Sequence, residues 1–383
     1  MYVSAWPGLS PSLLLRPRSP RRLPFPLCAP HITSFYVARY AIYHLFRALG
    51  FGNGDPVLVP DYHHGNEMRA IRAAGASLRY YPIRRTLEPD LDEVARLCTV
   101  DPPPRALFVI HFLGWPQPME ALTALCRERG LPLIEDCALS LLSEVDGRPL
   151  GTFGDYAVFC LYKTLPVPHG GILVQNRHVL PDLDRLELTS CGIPSVAGQT
   201  AELFLEWAQN RANGVARPLR VAKGIAGRAL GRLRVTRVPV GDSGFVPARA
   251  NLSMSSLCRR VLERLDYAEI RRRRRENFRL LCEMLADRVT VLRTDLADGV
   301  CPLFLPLLVR DKAGAARALR QRGISAVEVW NYGDPTASGN GRSHAQFLRD
   351  HVLELPIHQD VRIAQIEYMA EQVVKLGLRP WGA

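Results

Sequence analysis

The chain has 383 residues, of which 47% are hydrophobic and 22% are charged, so it can bury a large core and is neither a disordered tail nor a mini-protein. Its formal net charge is +12, from 49 basic and 37 acidic residues. Arg, Asp, Glu or His interrupts every apolar run before it reaches about eighteen residues, which argues against a membrane-spanning helix.

The nine cysteines are odd in number, widely spaced, and form no CxxC or Cys/His metal pattern. We therefore predict a reducing, cytoplasmic compartment and no metal centre. Near the start, four arginines stand among prolines and follow the apolar stretch instead of preceding it, which does not fit a secretory signal. We predict that residues 1–30 form an extended arm that lies on the protein or on a partner subunit.

Lysine is rare in this chain. Of the 49 basic residues four are lysines, so the other 45 are arginines; the lysines are Lys163, Lys223, Lys312 and Lys375. Arg and Lys serve about equally well as solvated surface cations, so this bias should leave Lys mainly where a removable proton is needed. Each lysine is therefore a candidate functional group.

From Tyr36 onward the sequence alternates predicted helices and strands. In chain order these are a helix at 40–49, a strand at 56–60, a helix at 67–74, a strand at 77–83, a helix at 91–97, a strand at 105–112, a helix at 119–129, a strand at 131–136, and two strands around a loop within 152–176. This alternation with short connections is typical of a mostly parallel sheet covered on both faces. In such sheets, ligand-binding and catalytic residues lie at the carboxyl ends of the strands.

The pattern changes after residue 185. Residues 186–250 are less periodic, and we predict a linker or insertion that includes a basic, glycine-rich stretch at 211–237. A solvated excursion is the simpler interpretation of that stretch, and a patch for a membrane surface or an anionic ligand is the alternative. Residues 251–383 are predicted to form a smaller α+β unit, with a long basic helix, two strands and two further helices.

The five arginines at 271–275 are the strongest charge run. Such a run is found in nucleic-acid-binding proteins, but the apolar residues around it recur at helical spacing and no nucleic-acid motif accompanies it. We therefore predict a solvated helix face, and no nucleic-acid binding.

Three positions carry groups with chemical potential. Asp136 closes an apolar strand, where a carboxylate is costly unless it is paired or faces a cleft. Lys163 follows 27 positions later, just before Gly170-Gly171, and the segment PDYHHGNE at 60–67 places aromatic and imidazole groups after an earlier strand. Taken singly, each also fits an ordinary role as a helix cap, a surface lysine or a structural histidine.

Taken together, the three are the groups needed to hold pyridoxal phosphate (PLP). A lysine amine forms a Schiff base once it is deprotonated, an acid pairs with the pyridinium nitrogen, and a flat ring covers one face of the cofactor. Arginine cannot replace the lysine because it does not lose its proton. We predict Lys163 as the catalytic residue, Asp136 as a cofactor-binding residue, and an aromatic or imidazole group of residues 60–67 as the ring that covers the cofactor.

Several segments resemble the DegT-type (DegT/StrS) family of fold-type I, PLP-dependent nucleotide-sugar aminotransferases. They run in family order through RYAIYHLFRALGFGNGDPVLVPDYHHGNE, GLPLIEDCALSLLSEVDGRPLGTFGDYAVFCLYKTLPVPHGGILV, ANLSMSS and LELPIHQDV, and they cover most of the chain from Tyr36. The resemblance implies an α/β fold: a PLP-binding large domain at 31–185 with a mostly parallel seven-stranded sheet, and a smaller α+β domain at 251–383.

The resemblance also implies roles for further residues. Ala38 and Arg39 fall at the helix start whose backbone N–H groups bind the cofactor phosphate. His64 falls where the family has a ring-stacking aromatic residue, so the resemblance implies that it binds the cofactor. Cys160 stands where a phosphate-binding serine is usual. Asn251 matches an asparagine that reaches the cofactor of the neighbouring subunit, which implies a homodimer with shared active sites.

The implied function is transfer of an amino group from an amino acid, with glutamate the expected donor, to a keto-sugar carried on a nucleotide. Its product would serve polysaccharide, glycolipid or secondary-metabolite biosynthesis. Two alternatives keep the fold. One is PLP-dependent sugar dehydration, which Lys163 argues against because family members that dehydrate typically lack this lysine. The other is a non-catalytic or regulatory role, which the replacement of serine by Cys160 leaves open.

Overall fold

The structure is a computed structural model, and it describes all residues of the chain except 20–21, 53, 212–237, 239, 241–243, 329, 332–333, 335–342, 379 and 382–383. The basic stretch singled out at 211–237 therefore lies outside the described residues, apart from Arg211. In the part of the chain that is described, no helix is both long enough and apolar enough to cross a bilayer.

A large, mostly parallel sheet forms the centre of the molecule. Its strands are β1 (Ile32–Phe35), β2 (Pro56–Pro60), β3 (Ser77–Tyr81), β4 (Ala106–Ile110), β5 (Leu133–Asp136), β8 (Tyr156–Cys160), β9 (Gly171–Gln175), β10 (Thr189–Ser190) and β11 (Leu252–Ser253), and the short strands β6 (Glu144–Val145) and β7 (Arg148–Pro149) form a separate hairpin. The spatial order among the described residues is β10-β11-β1-β9-β8-β5-β4-β2-β3. Strands β8, β5, β4, β2 and β3 are parallel, whereas β9 is antiparallel to both of its neighbours.

The prediction of seven strands is corrected to nine. Seven strands of four or five residues form the predicted sheet, and the two-residue strands β10 and β11 extend it beyond β1. β11 pairs with β1 through Ser253 and Phe35, although it falls within the predicted C-terminal unit. A strand of two residues has no periodicity, so the sequence pattern contains no signal for it.

Helices flank the sheet, and four of them have bounds within a few residues of the predicted ones. These four are α2 (Ala38–Ala48), α3 (Asn66–Ala73), α4 (Leu91–Leu97) and α5 (Met119–Arg129). The short α1 (Pro11–Leu15) and α6 (Pro181–Asp184) were not predicted. α4 begins where the Asp90 carboxylate accepts a hydrogen bond from the Glu93 N–H (3.3 Å), and α5 ends at Gly130 in the left-handed region. Residues 1–30 are thus not extended throughout, because α1 lies within them.

A smaller three-stranded antiparallel sheet contains β12 (Thr290–Val291), β13 (Phe304–Leu308) and β14 (Val352–Pro356). The helices after residue 185 are α7 (Ile193–Arg211), α8 (Ser256–Leu262), α9 (Tyr267–Leu285), α10 (Lys312–Gln321), α11 (His344–His351) and α12 (Ile363–Lys375). The predicted long basic helix is α9, which begins at Tyr267 because the Asp266 carboxylate caps its start by accepting from the Glu269 N–H. One core cluster contains buried residues of both sheets, such as Val57 and Leu305. The division into domains at 31, 186 and 251 stays a prediction.

Residues 193–211 were expected to be aperiodic and instead form α7. Val196, Leu203, Phe204 and Trp207 lie on one side of this helix, since residues seven, eight and eleven positions apart share a helical face. The helix was missed because this stripe is narrow and the glycine-rich sequence that follows it dominates the composition.

The expectation of a solvated face at residues 271–275 is wrong for two of the five arginines. Arg274 is 1% exposed, and its guanidinium donates to the carbonyls of Thr164 (3.0 Å) and Leu303 (3.1 Å). Arg275 is also buried and donates to the Val300 carbonyl (2.6 Å). Five consecutive residues cover more than one helical turn, so a run of this length must turn some members toward the core.

Candidate active site

The carboxyl ends of β5 and β8 open onto one cavity of about 390 Å³. Its described lining includes six of the predicted site residues, which are Ala38, Arg39, His64, Asp136, Cys160 and Lys163. Neighbouring parallel strands end at the same edge of a sheet, and this brings together groups that are far apart in the sequence. Asn251 does not line this cavity; it is exposed, and its carbonyl accepts from the Thr189 N–H (2.8 Å).

Asp136 is the last residue of β5 and is 6% exposed. One of its oxygens, Oδ1, accepts a hydrogen bond from the Ala138 N–H at 2.8 Å. Burial, and after it the nearby Glu67 carboxylate, raises the pKa of Asp136 to about 7, against the opposing effects of the Ala138 bond and of Lys163. A carboxyl in this state is stabilised as an anion by any cation brought against it.

Lys163 ends a 3₁₀ turn, Leu161–Lys163, that follows β8 directly. The turn is fixed at its start, where the Leu161 N–H donates to the Gly170 carbonyl (2.9 Å). It is also fixed at its end, where the Thr164 carbonyl accepts from Arg274 (3.0 Å) and from Gln359 Nε2 (3.2 Å). Arg274 therefore positions the turn that carries the lysine, a role that the arginine run in the sequence gave no sign of.

The start of α2 faces the same cavity. Val37 occupies the N-cap and has no polar side-chain atom to accept from the first-turn N–H groups, which begin at Ala38. Gly171 on β9 packs directly against this end of the helix, because a Cβ at that position would lie 2.5 Å from the Ala38 nitrogen. The close contact sets uncapped, positively polarised N–H groups at the cavity wall, where an anion is stabilised.

His64 lies on the turn between β2 and α3, and its N–H donates to Glu67 Oε1 (2.7 Å). Glu67 is 8% exposed and also lines the cavity. Burial acts to raise the pKa of Glu67, but the imidazoles of His64 and His63 and nearby backbone N–H groups outweigh it, so the pKa lies below its ordinary value. Glu67 was not predicted as a site residue, although its place one helical turn after His64 was a usable signal.

Cys160 ends β8 and is buried. Burial is the largest influence on its thiol and raises the pKa, although Lys163 and Tyr162 act to lower it. The side chain is therefore a neutral thiol near pH 7, which is a weaker hydrogen-bond donor than a hydroxyl.

The remaining wall comes from distant parts of the chain, and sequence reasoning missed it. Trp6 belongs to the N-terminal segment, and Phe304 begins β13. The other members follow α10, and they are Val327, Glu328, Trp330 and Asn331. Glu328 is paired with Arg320 (2.8 Å), so its carboxylate is held in place at the cavity. These contacts join segments separated by some 300 residues, which local patterns do not encode.

One group of metal-ligand type occurs among the described residues, formed by His111, Glu135 and Cys137. Glu135 accepts from the Gly151 N–H (2.9 Å) and the Gly154 N–H (2.6 Å), and it also binds His111 Nε2 (3.0 Å). His111 Nδ1 accepts from the Gln117 N–H (3.1 Å), so Nε2 carries the proton. Both nitrogens of His111 and both oxygens of Glu135 thus already form hydrogen bonds within the protein, as in a structural network.

Comparison with known proteins relates this geometry to a family. Residues 28–203 match the model of the DegT/DnrJ/EryC1/StrS aminotransferase family. The GDP-perosamine synthase of Vibrio cholerae is 31% identical over 155 residues, which are 40% of this chain and 42% of that protein. The dTDP-4-dehydro-2,3,6-trideoxy-D-glucose 4-aminotransferase of Saccharopolyspora spinosa is 38% identical over 135 residues, 34% of each. The matched stretch spans less than half the length of these curated relatives.

A solved structure extends the likeness to nearly the whole chain. PseC from Helicobacter pylori, an aminotransferase involved in the biosynthesis of pseudoaminic acid, superposes with a TM-score of 0.67 at 16% identity, covering 98% of each chain. This likeness confirms the predicted α/β fold of type I. Over residues 28–203, just under half of its length, the chain is similar to the DegT/DnrJ/EryC1/StrS aminotransferase family.

Proposed function

We propose that this protein is a PLP-dependent aminotransferase that moves an amino group from an amino acid, with glutamate the expected donor, to a keto-sugar carried on a nucleotide. Its product would serve polysaccharide, glycolipid or secondary-metabolite biosynthesis. The observation that carries the proposal is that Lys163 and Asp136, from the ends of neighbouring parallel strands, line one cavity. The names of the relatives, a perosamine synthase and a dTDP-sugar aminotransferase, support the substrate class.

The residues present fit PLP. Asp136 is buried with one backbone bond, so it would pair with a ring N–H and gain from a pyridinium charge. The start of α2 at Ala38 and Arg39 would bind the phosphate, and Gly171 leaves the space that this approach needs. His64 would cover one face of the ring, and Cys160 would stand beside the phosphate.

When bound, PLP supplies an aldehyde that accepts the amino group and a ring that stabilises negative charge on the substrate carbon. Lys163 would hold the cofactor through its Nζ and, once released, take a proton from the substrate carbon and deliver it to the carbon of the cofactor's aldehyde group. Asp136 would keep the ring nitrogen protonated during this transfer. Arg274 and Gln359, through the Thr164 carbonyl, would keep the lysine turn in register with the cavity.

Purification and chemical labelling test this proposal. We expect a yellow protein with absorbance in the near ultraviolet and visible, and borohydride reduction followed by peptide mapping should place the label on Lys163. Lys163→Ala should lose the covalent band and amino transfer to a panel of keto-sugar nucleotides. The matched control is Lys375→Ala, which removes an exposed lysine paired with Glu371, and it should leave both unchanged.

Three results would contradict the proposal in different ways. A label on another lysine would refute the assignment of Lys163. A colourless protein that PLP cannot reconstitute would favour the non-catalytic alternative. A product that has lost a hydroxyl without gaining nitrogen would favour dehydration.

We further propose a homodimer in which Asn251 serves the partner's site. Its exposed position away from this protomer's cavity supports that role. Light scattering should give twice the chain mass of 42.8 kDa. If Asn251→Ala and Lys163→Ala proteins are each inactive, mixed dimers should regain activity, because one of their sites has both residues; a mixture that stays inactive would contradict shared sites.

We propose a cytoplasmic location, supported by nine cysteines that are all free. Fractionation of cells should place the protein with cytosolic markers. Deleting 211–237 should leave co-sedimentation with anionic vesicles unchanged, and a loss of binding would favour the membrane-surface alternative for that stretch.

A further inference from the structure

The first ten residues, called here the N-terminal segment, are fixed to the rest of the protein at several points. Val3 forms a parallel bridge with Ile324, in which the Val3 N–H donates to the Gly323 carbonyl and the Ser325 N–H donates to the Val3 carbonyl, each at 2.9 Å. Val3 itself is completely buried. The start of the segment is therefore part of the region that follows α10.

Two further contacts hold the segment on either side of Trp6. The Ser4 N–H donates to Asn210 Oδ1 on α7 (3.1 Å), and the Gly8 N–H donates to Asp360 Oδ2 after β14 (2.9 Å). The Ser4 hydroxyl also donates to the carbonyl of Trp6 (2.8 Å). With its neighbours tied to two separate elements, Trp6 has a defined position and is not the tip of a loose arm.

Trp6 and Phe304 together form an aromatic wall of the cavity. Their ring centroids are 5.1 Å apart with an interplanar angle of 71°, an edge-to-face contact that stabilises both rings. Val327 adds apolar surface on this side, and Glu328 adds a hydrogen-bond acceptor. The wall suits a ligand that presents an apolar face together with hydroxyl groups.

The charges in the cavity decide which part of a nucleotide sugar reaches this wall. Arg39 and Lys163 are the only Lys or Arg side chains on the lining that the structure describes, and the proposed function places both at the cofactor. A diphosphate needs cationic partners, and the aromatic wall offers none. The apolar C–H surface and the hydroxyls of the sugar match the chemistry of this wall.

We propose that Trp6 is a specificity-determining residue, whose indole packs against the sugar ring of the substrate with Phe304 behind it. This inference rests on the proposed function. Trp6 lies outside residues 28–203, so the substrate wall is built in part by sequence beyond the family match. Its role is to bind the sugar and not to take part in proton transfer.

The test measures binding without turnover. Wild type and Trp6→Ala, both loaded with PLP, are titrated calorimetrically with GDP-perosamine, a dTDP-linked 4-amino sugar and a UDP-linked 3-amino sugar, and the tightest of these is carried forward. Trp6→Ala should raise its dissociation constant about tenfold or more, whereas Trp6→Phe should stay within about threefold because it keeps an aromatic face. The matching nucleoside diphosphate without the sugar should bind both proteins equally.

Two controls separate a binding role from a structural one. Conversion of the bound cofactor's spectrum by glutamate should proceed at the same rate in wild type and Trp6→Ala, since the amino donor does not need the wall. Trp381→Ala removes an indole that packs on Phe347 and His351, which do not line the described cavity, and it should change neither measurement.

Unchanged sugar-nucleotide binding in Trp6→Ala would overturn the inference. A parallel loss for the nucleoside diphosphate alone would also overturn it, because Trp6 would then bind the base. Equal loss in the glutamate reaction would show a structural role only. Wild type that binds an amino-sugar nucleotide in a Trp6-dependent way without transamination would refute the proposed function and keep this inference, whereas no binding of any probe would refute both.

Discussion

Glu135 and Asp136 follow each other on β5 and point to opposite faces of the sheet, because side chains alternate along a strand. On one face, Glu135 is completely buried, and its two oxygens bind His111 and the N–H groups of Gly151 and Gly154. Both carboxylate oxygens of Glu135 thus have partners within the protein. Glu135 therefore holds the loop after β7 against β5.

On the other face, Asp136 has a single backbone bond and looks into the cavity between β5 and β8. Its pKa is raised because burial and Glu67 outweigh the Ala138 N–H and Lys163, so the protein stabilises this charge only in part. Burial alone therefore does not identify a functional acid. What distinguishes Asp136 from Glu135 is how many hydrogen bonds the protein already donates to the carboxylate.

Asp136→Asn should have the largest effect. A neutral amide cannot stabilise a protonated ring nitrogen, so we expect amino transfer to fall by about 10³-fold, as for the loss of other preorganised electrostatic partners. Thermal stability should be unchanged or higher, because the substitution removes a buried acid. Steady-state kinetics and a melting curve check both parts, and retention of more than a tenth of the activity would contradict the role of Asp136.

Glu135→Gln should act on stability and spare the chemistry. The amide cannot accept all three hydrogen bonds, and leaving buried donors unpaired should lower the free energy of unfolding by about 3 kcal/mol. Urea denaturation measures this loss. Turnover per folded molecule should stay near wild type, and a selective loss of turnover would mean that Glu135 belongs to the active site.

The pH dependence of the cofactor-free protein should sharpen the comparison further. The pKa of Asp136, about 7 in the folded protein, exceeds its unfolded value near 4, so the folded state holds this proton more tightly. Its contribution to stability is therefore complete below about pH 4 and is lost as pH rises through 7. Lys163 and Glu67 are the charged groups that act on this carboxyl, and both are unchanged in Asp136→Asn, the variant with which wild type is compared.

Melting curves of cofactor-free wild type and Asp136→Asn between pH 4 and 8 isolate this effect. As pH rises from 4 to 8, the free energy of unfolding of Asp136→Asn should increase relative to that of wild type by at least about 1 kcal/mol. Bound PLP should remove the difference in slope. Parallel curves for the two proteins would show that Asp136 does not titrate in this range.

The smallest effects are expected from substitutions of two cysteines, Cys160 and Cys137. Cys160→Ser on the cavity face should lower the dissociation constant of PLP about threefold to fivefold, because a hydroxyl donates a better hydrogen bond than a neutral thiol. Cys137→Ser on the Glu135 face should leave that constant unchanged and lower stability by about 1 kcal/mol, since it buries a hydroxyl in an apolar cluster. Equilibrium titration monitored by absorbance measures the first, and denaturation measures the second.

Local pattern was enough to find Asp136 and Lys163. An acid at the end of an apolar strand and a lysine before a Gly pair are short signals, and the rule for parallel strands brings the two together. Between residues 38 and 176, the order of the helices and the longer strands followed from the same kind of signal, whereas the hairpin of β6 and β7 did not. In these places a few adjacent residues determine the conformation.

Trp6, Phe304 and Arg274 could not be found in this way. Trp6 and Phe304 are in contact although about 300 residues separate them in the sequence. The position of Trp6 depends on hydrogen bonds of Val3, Ser4 and Gly8 to distant segments, which no local pattern contains. For Arg274 the helical period was available, but how deeply that face is covered depends on the Thr164 and Leu303 carbonyls of other segments. Long-range packing decides these positions.

The contact between Gly171 and Ala38 gives residue 171 an influence that its chemistry does not suggest. A methyl group there would push the N-terminus of α2 outward and weaken its binding of an anion, although no ionisable side chain would be replaced. A natural substitution of Gly171 would thus weaken binding of the cofactor, and a survey of gene variants that scored only polar positions would overlook it.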